Sequence, residues 1–80
     1  MDKLDMYKLG RRIAAARVMA DLTQQELANR AGIAQSALAR VERGTRPQLS
    51  VGTLYTIAQA LHVSIDYLLG LKEAENGEHA

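Results

Sequence analysis

Apolar residues recur along this chain at intervals of three and four, and no stretch alternates convincingly with period two. That spacing belongs to helices with one buried face. Met6, Leu9, Ile13, Ala16 and Ala20 fall on one stripe, which predicts a first helix from about Asp5 to Ala20. Asp21-Leu22 reads as a break. Thr23 followed by Glu26 has the form of a capping box, so a second helix starts there and runs to about Arg30, stopped by Gly32. Ile33 and Ala34 lead into a third helix, about Gln35 to Arg43, ended by Gly44. Thr45 to Leu49 is a loop holding the only proline, Pro47. Ser50 can cap a fourth helix, Val51 to Leu61, with Leu54, Ile57, Ala58 and Leu61 inward. Ser64 can cap a short fifth helix, Ile65 to Leu69, closed by Gly70. The remaining LKEAENGEHA is polar and is expected to fray. The fold class is all-α: one compact five-helix domain. No internal repeat or low-complexity segment interrupts it.

Composition narrows the picture. Eighty residues make one domain with a modest core, and no cysteine is present to staple it or to ligate a metal. The opening MDKLDMYKLGRR holds no apolar run of signal-peptide length, and no window approaches a membrane span, so a soluble, intracellular protein is expected. The net charge of +1 is unevenly placed. Up to Leu71 there are 9 Lys/Arg against 6 Asp/Glu, and from Lys72 onward 1 against 3. The globular part is mildly basic and the tail acidic, which makes global charge a weak pointer to nucleic acid. The kind of cation says more. Seven of the ten are arginine, suited to forked contacts with phosphate and guanine, and Arg40, Arg43 and Arg46 cluster with only Glu42 among them.

Thr23 to Gly44, TQQELANRAGIAQSALARVERG, carries the functional signal. Two short helices meet across Ala31 to Ala34. The small residue for a tight crossing is Ala28, and Gly32 supplies a turn tolerant of positive φ. Leu27, Ala31, Ile33, Leu38 and Val41 close the angle from both sides. These requirements describe a helix-turn-helix. With Leu38 and Val41 inward, Ser36, Arg40 and Arg43 share the outward face of the third helix, beside Ala39, with Gln35 in the exposed first turn. An amide, a hydroxyl, a small apolar group and two guanidiniums suit a major groove: Gln can bond adenine, Arg guanine, and Ala can meet a thymine methyl. Alone, such a face is an ordinary solvated helix surface; inside a helix-turn-helix the groove reading is favoured.

The segment resembles the phage Cro and repressor type of helix-turn-helix, also called the xenobiotic-response-element type. The resemblance extends from Leu9-Gly10-Arg11-Arg12-Ile13, similar to that family's first helix, through Glu42-Arg43-Gly44, to Ala60-Leu61-His62-Val63-Ser64-Ile65-Asp66-Tyr67-Leu68-Leu69, similar to its last two helices. It implies a lambda-repressor-like domain over 9–70, with the motif at 23–43, a lead-in at 1–8 and a flexible acidic tail at 71–80. It assigns base contacts to Gln35, Ser36 and Arg40, which Ala39 joins on the same face. It assigns phosphate contacts to the start of the second helix, Gln24 with Gln25, and then to Arg43, Thr45 and Arg46. It pairs Arg17 with Glu42, an ion pair tying the first helix to the third. Three positions depart from the pattern. Ala34 stands where Ser or Thr usually caps, giving up about 1 kcal/mol; the loop Thr45 to Ser50 is about one residue long; and Gly52 replaces a common acid.

The function implied is sequence-specific binding of a double-stranded DNA operator by a transcriptional regulator, a cytoplasmic, prokaryotic or phage-encoded repressor that joins the nucleoid when bound. A helix-turn-helix this small reads a short half-site, so a homodimer is expected. Tyr67, Leu68, Leu69 and Leu71 offer more apolar surface than a short helix needs, which marks Tyr67, Leu69 and Leu71 for the dimer contact. A rival reading is a protein-interaction module, an antitoxin or polymerase-bridging factor, using the acidic tail for its partner. An enzyme has little support: His62, Ser64 and Asp66 are alternate residues at a helix start and do not form a relay. Ser64 reads as a cap and Asp66 as a first-turn acid. His62 and His79 lack ligand partners at metal spacing, and no cofactor or metal is expected. Arg11-Arg12 reads as a solvated face or a phosphate contact.

Overall fold

The computed structural model describes residues 4–46 and 48–71. Five helices follow in order: α1 (Met6–Met19), α2 (Gln24–Ala31), α3 (Gln35–Arg43), α4 (Val51–Leu61) and α5 (Ile65–Leu69). Among the described residues there is no strand. The acidic tail 72–80, Pro47 and His79 lie outside the described residues, as do the first three residues of the lead-in.

Side chains start four of the five helices. Asp5 accepts from the Lys8 amide at 3.1 Å, Ser50 from Thr53 and Ser64 from Tyr67, both at 3.0 Å. At α2 the capping box is complete: the Thr23 amide donates to Glu26 Oε1 at 2.8 Å and the Glu26 amide to Thr23 Oγ1 at 3.0 Å. These bonds satisfy donors that the first turn of a helix otherwise leaves to water. The exception is α3, whose N-cap Ala34 has the extended backbone of a cap (φ −70°, ψ 146°) and no side chain to make the bond.

The helix ends share one device. In α2 to α5 the chain turns left-handed after the last helical residue, and an amide reaches back five residues: Ile33 to Ala28 at 3.0 Å, Thr45 to Arg40 at 3.0 Å, Val63 to Ala58 at 3.1 Å and Leu71 to Asp66 at 2.8 Å. Glycine takes the left-handed position in three cases. In α4 it falls to His62 at φ 59°, which costs on the order of 1 kcal/mol because a Cβ crowds the following carbonyl. His62 is thus a helix terminator at an unusual residue type.

The core is formed by Leu9, Ile13, Leu27, Leu38, Val41, Ile57 and Leu68, all essentially without solvent contact, with Ala28, Ala31, Leu54, Ala58 and Leu61 around them. Helix α1 packs on α3 and α5, α2 packs on α3 and α4, and α4 packs on α5. None of the described helices is long and apolar enough to cross a membrane.

Three expectations need correction. Ala20 is exposed and belongs to no inner stripe: α1 stops at Met19, and the chain reverses through Asp21 at φ 61°. Helix α2 includes Ala31. Arg12 is not a fully solvated position. It is half-buried, and a methyl placed on Gly70 would meet its guanidinium at 2.6–2.8 Å. The cation therefore lies over the negative end of α5.

Candidate nucleic-acid interface

Helix α3 divides cleanly into two faces. Leu38, Val41 and Glu42 are buried, while Gln35, Ser36, Arg40 and Arg43 are exposed and Ala39 is half-buried. None of the side chains of Gln35, Ser36, Arg40 or Arg43 has a hydrogen-bond or ion-pair partner among the described residues. The outward face is an unengaged set of donors and acceptors held on a rigid element.

Glu42 decides the electrostatics of that face. It is the one acid within the cluster of Arg40, Arg43 and Arg46, and only 5% of it meets solvent. Its carboxylate turns inward to a three-residue hub. Arg17 Nε donates to Oε2 at 2.7 Å, Arg17 Nη2 to Oε1 at 3.2 Å, and Gln24 Nε2 to the same Oε1 at 3.0 Å. The remaining Arg17 nitrogen, Nη1, donates to the Leu22 carbonyl at 2.8 Å. Planar, forked guanidinium geometry makes this two-pronged grip possible, and lysine could not reproduce it. With Glu42 removed from the surface and neutralised by Arg17, the outward side of α3 is left with its arginines alone.

The main chain brings α1 and α3 closer than side chains would allow. A Cβ on Gly10 would collide with the carbonyl oxygens of Val41 and Glu42, and one on Gly44 would stand 2.6 Å from Tyr7 Cα. Helix α1 therefore lies against the C-terminal half of α3 backbone to backbone, from Tyr7 at Gly44 to Arg17 at Glu42. Ala28, the small residue of the motif itself, is fully buried.

The remaining candidate residues are disposed as follows. Gln24 and Gln25 open α2, and the capping box leaves their two amides as the first-turn donors still available. The Gln24 side chain is committed to Glu42, and the Gln25 side chain bonds Asn29 at 2.9 Å. Thr45 is exposed, its hydroxyl donating to the Arg40 carbonyl at 3.3 Å. Arg46 is half-buried and its Nε donates to the Gln48 carbonyl at 2.9 Å, so part of its donor set serves the loop. On α5, Leu68 is wholly within the core, Tyr67 and Leu69 pack partly against it, and Leu71 is 74% exposed. Glu26 is exposed, and its carboxyl is held below the ordinary value of 4.5 mainly by the Thr23 amide, then by the Thr23 hydroxyl and Arg30. His62, Ser64 and Asp66 occupy the end of α4 and the start of α5, and none of the described groups of His, Cys, Asp and Glu could hold a metal.

Two contributors had no strong sequence signal. The Gln24 side chain meets Glu42 across 18 positions, a contact no local pattern reports. Gly10 left a trace, since glycine within an otherwise good helix asks for a packing reason.

The profile of the helix-turn-helix family matches residues 13–68. The chain belongs to the Cro/C1-type helix-turn-helix family. Curated relatives agree. The regulator is 47% identical over 62 residues to the uncharacterized HTH-type transcriptional regulator y4dJ of Sinorhizobium fredii, covering 76% of this chain and 79% of that one. It is 37% identical over 71 residues to an uncharacterized transcriptional regulator in the ATPase CF(0) region of Rhodospirillum rubrum, covering 89% of this chain and 65% of the relative's length. Among solved structures, it is similar to the biofilm master regulator SinR, of Bacillus subtilis, in complex with DNA. That match has a TM-score of 0.73 and 34% identity over 76% of this chain and 97% of the chain in that structure. The protein is a DNA-binding transcriptional regulator, and its five-helix fold is that of helix-turn-helix repressor domains.

Proposed function

We propose that this regulator is a cytoplasmic repressor that binds a two-fold operator as a homodimer, laying α3 in the major groove. Gln35, Ser36, Ala39 and Arg40 read base edges; the amides of Gln24 and Gln25, together with Arg43, Thr45 and Arg46, follow the phosphates. The observation that carries this reading is the outward face of α3, where the side chains of Gln35, Ser36 and Arg40 are exposed and without a partner among the described residues while Glu42, the acid of that helix, is turned into the core. Base-edge contacts specify sequence and phosphate contacts set register. Arg43, just beyond the readers, is placed for the second task. One such helix spans only a half-site, so two copies spaced one turn of DNA apart, about 34–36 Å, supply the missing length. Exposed Leu71 and the half-exposed faces of Tyr67 and Leu69 are the surface offered to the second copy. The reading includes no catalysis, metal or cofactor.

The test is fluorescence anisotropy with duplex DNA from upstream of the protein's own coding sequence against a scrambled duplex, across a salt series. Binding to the native duplex should weaken linearly on a log–log salt plot, with a slope of about −0.9 per phosphate neutralised. Arg40→Ala should cost about 1–3 kcal/mol on the native duplex and leave the scrambled one nearly unchanged. Equal, weak binding to both duplexes, indifferent to Arg40→Ala, would move the function to a protein partner, and a pull-down through the acidic tail would follow.

A further inference from the structure

The two helices of the motif form an angle with its vertex at the turn, residues 32–34. Gln24 is the first residue of α2 and Glu42 the next to last of α3, so both stand at the ends far from that vertex. The bond from Gln24 Nε2 to Glu42 Oε1 at 3.0 Å spans the open side. A carboxylate only accepts, so the Gln24 carboxamide must present its NH2 group there. Its orientation is set by chemistry, and the bond is charge-assisted. Arg17 holds the same carboxylate from α1 and anchors the preceding turn through the Leu22 carbonyl.

We propose that Gln24 is a positioning residue for DNA reading: its side chain is an internal strut that fixes the angle between the phosphate-anchoring end of α2 and the base-reading face of α3. This rests on the function proposed above. The lever arm gives the scale. Helix α2 has 8 residues, about 12 Å of axis, so 1 Å of slack at the strut turns α2 against α3 by about 5°. Bidentate base contacts tolerate little misplacement, whereas single phosphate contacts are forgiving. Loss of the strut therefore damages discrimination more than grip. The backbone amides of Gln24 and Gln25 remain at the helix end whatever the side chain does.

The experiment measures the affinity of full-length Gln24→Leu for the native and scrambled duplexes at 10 °C, where circular dichroism reports the folded fraction. Leucine keeps the apolar stem and removes the donor. The expected result is about a tenfold loss on the native duplex, the scale of one mismatched base pair, well beyond the loss on the scrambled duplex. A second variant, Gln24→Glu, sets a carboxylate against Glu42. Its deficit relative to wild type should be larger at pH 8 and shrink toward pH 5, where the introduced carboxyl takes up a proton and can donate again. An unchanged ratio of native to scrambled affinity overturns the proposal. An equal fall on both duplexes with a shallower salt slope also overturns it, because the side chain would then be a phosphate contact itself. Wild-type protein that does not discriminate between duplexes overturns the underlying reading instead, and that is visible before any variant is made.

Discussion

Replacing Gly10 by alanine should destabilise the protein, although the same change in an unobstructed helix interior stabilises. Alanine gains roughly 1 kcal/mol over glycine in mid-helix through chain entropy. Against that stands the seat of α1 on α3. The new Cβ would collide with the carbonyl oxygens of Val41 and Glu42. Both obstacles are main chain, so no rotamer change relieves them; α1 must lift, opening the contacts of Leu9 and Ile13 and stretching the Arg17–Glu42 pair. Overpacking of this kind costs about 1–3 kcal/mol, and rigid obstacles put Gly10→Ala at the upper end. The net loss is then about 1–2 kcal/mol, or about 4–15 °C in Tm for a domain this small. Gly52→Ala in the first turn of α4 is the internal control. The nearest atom to its new Cβ is Ser50 Oγ at 3.9 Å, ordinary contact distance. It should be neutral or mildly stabilising. Both melts are read by circular dichroism at 222 nm. A Gly10→Ala protein at or above the wild-type Tm would refute the claim that backbone contact seats the third helix.

Four further outcomes follow from the same structure. Glu42→Ala strands the Arg17 guanidinium, whose side chain keeps only 17% of its exposure, so a loss of about 3 kcal/mol is expected in denaturant titration, the low end for a broken buried pair because the Leu22 carbonyl still accepts from it. Arg17→Lys should restore little of what Arg17→Ala loses, for want of a fork. Ala34→Ser supplies the missing cap on a backbone already extended there, and Tm should rise by about 4–8 °C for a gain of about 1 kcal/mol. The fourth outcome is a pH dependence at Glu26. Because folding lowers its pKa, its contribution is full above 4.5 and is lost as pH falls through the folded value. The Tm gap between wild type and Glu26→Gln should thus be widest near neutrality and narrow below pH 4.5; a gap that widens in acid would contradict the capping-box account.

Much of this architecture could be read from the chain because its signals are local. Caps at Thr23, Ser50 and Ser64 and glycines at 32, 44 and 70 bracket segments with helical spacing, and α3, α4 and α5 have the bounds those signals imply. The end of α1 was misread because Ala20 continues the apolar interval, whereas the chain turns on Asp21, a residue type only modestly inclined to positive φ. The outward face of α3 was legible once Leu38 and Val41 were placed inward. What local pattern could not supply was tertiary: the inward turn of Glu42 onto Gln24, the collision waiting at Gly10, and the seat of Arg12 against α5. Each needs a partner from a distant segment, and intervals along one helix carry no information about its neighbour.

The two-sided character of α3 has a consequence for how such a protein can diverge. All that seats the helix lies on one side or in its main chain: Leu38, Val41, Glu42 and the carbonyls under Gly10. The side chains at positions 35, 36 and 40 add little to the fold, since they touch water and hold no partner among the described residues. Mutations there escape the stability threshold that filters most substitutions. A duplicated copy could exchange these three side chains in any order, every intermediate folded, and arrive at a new target without passing through an unstable ancestor. Position 39, half-covered, would follow only among small residues.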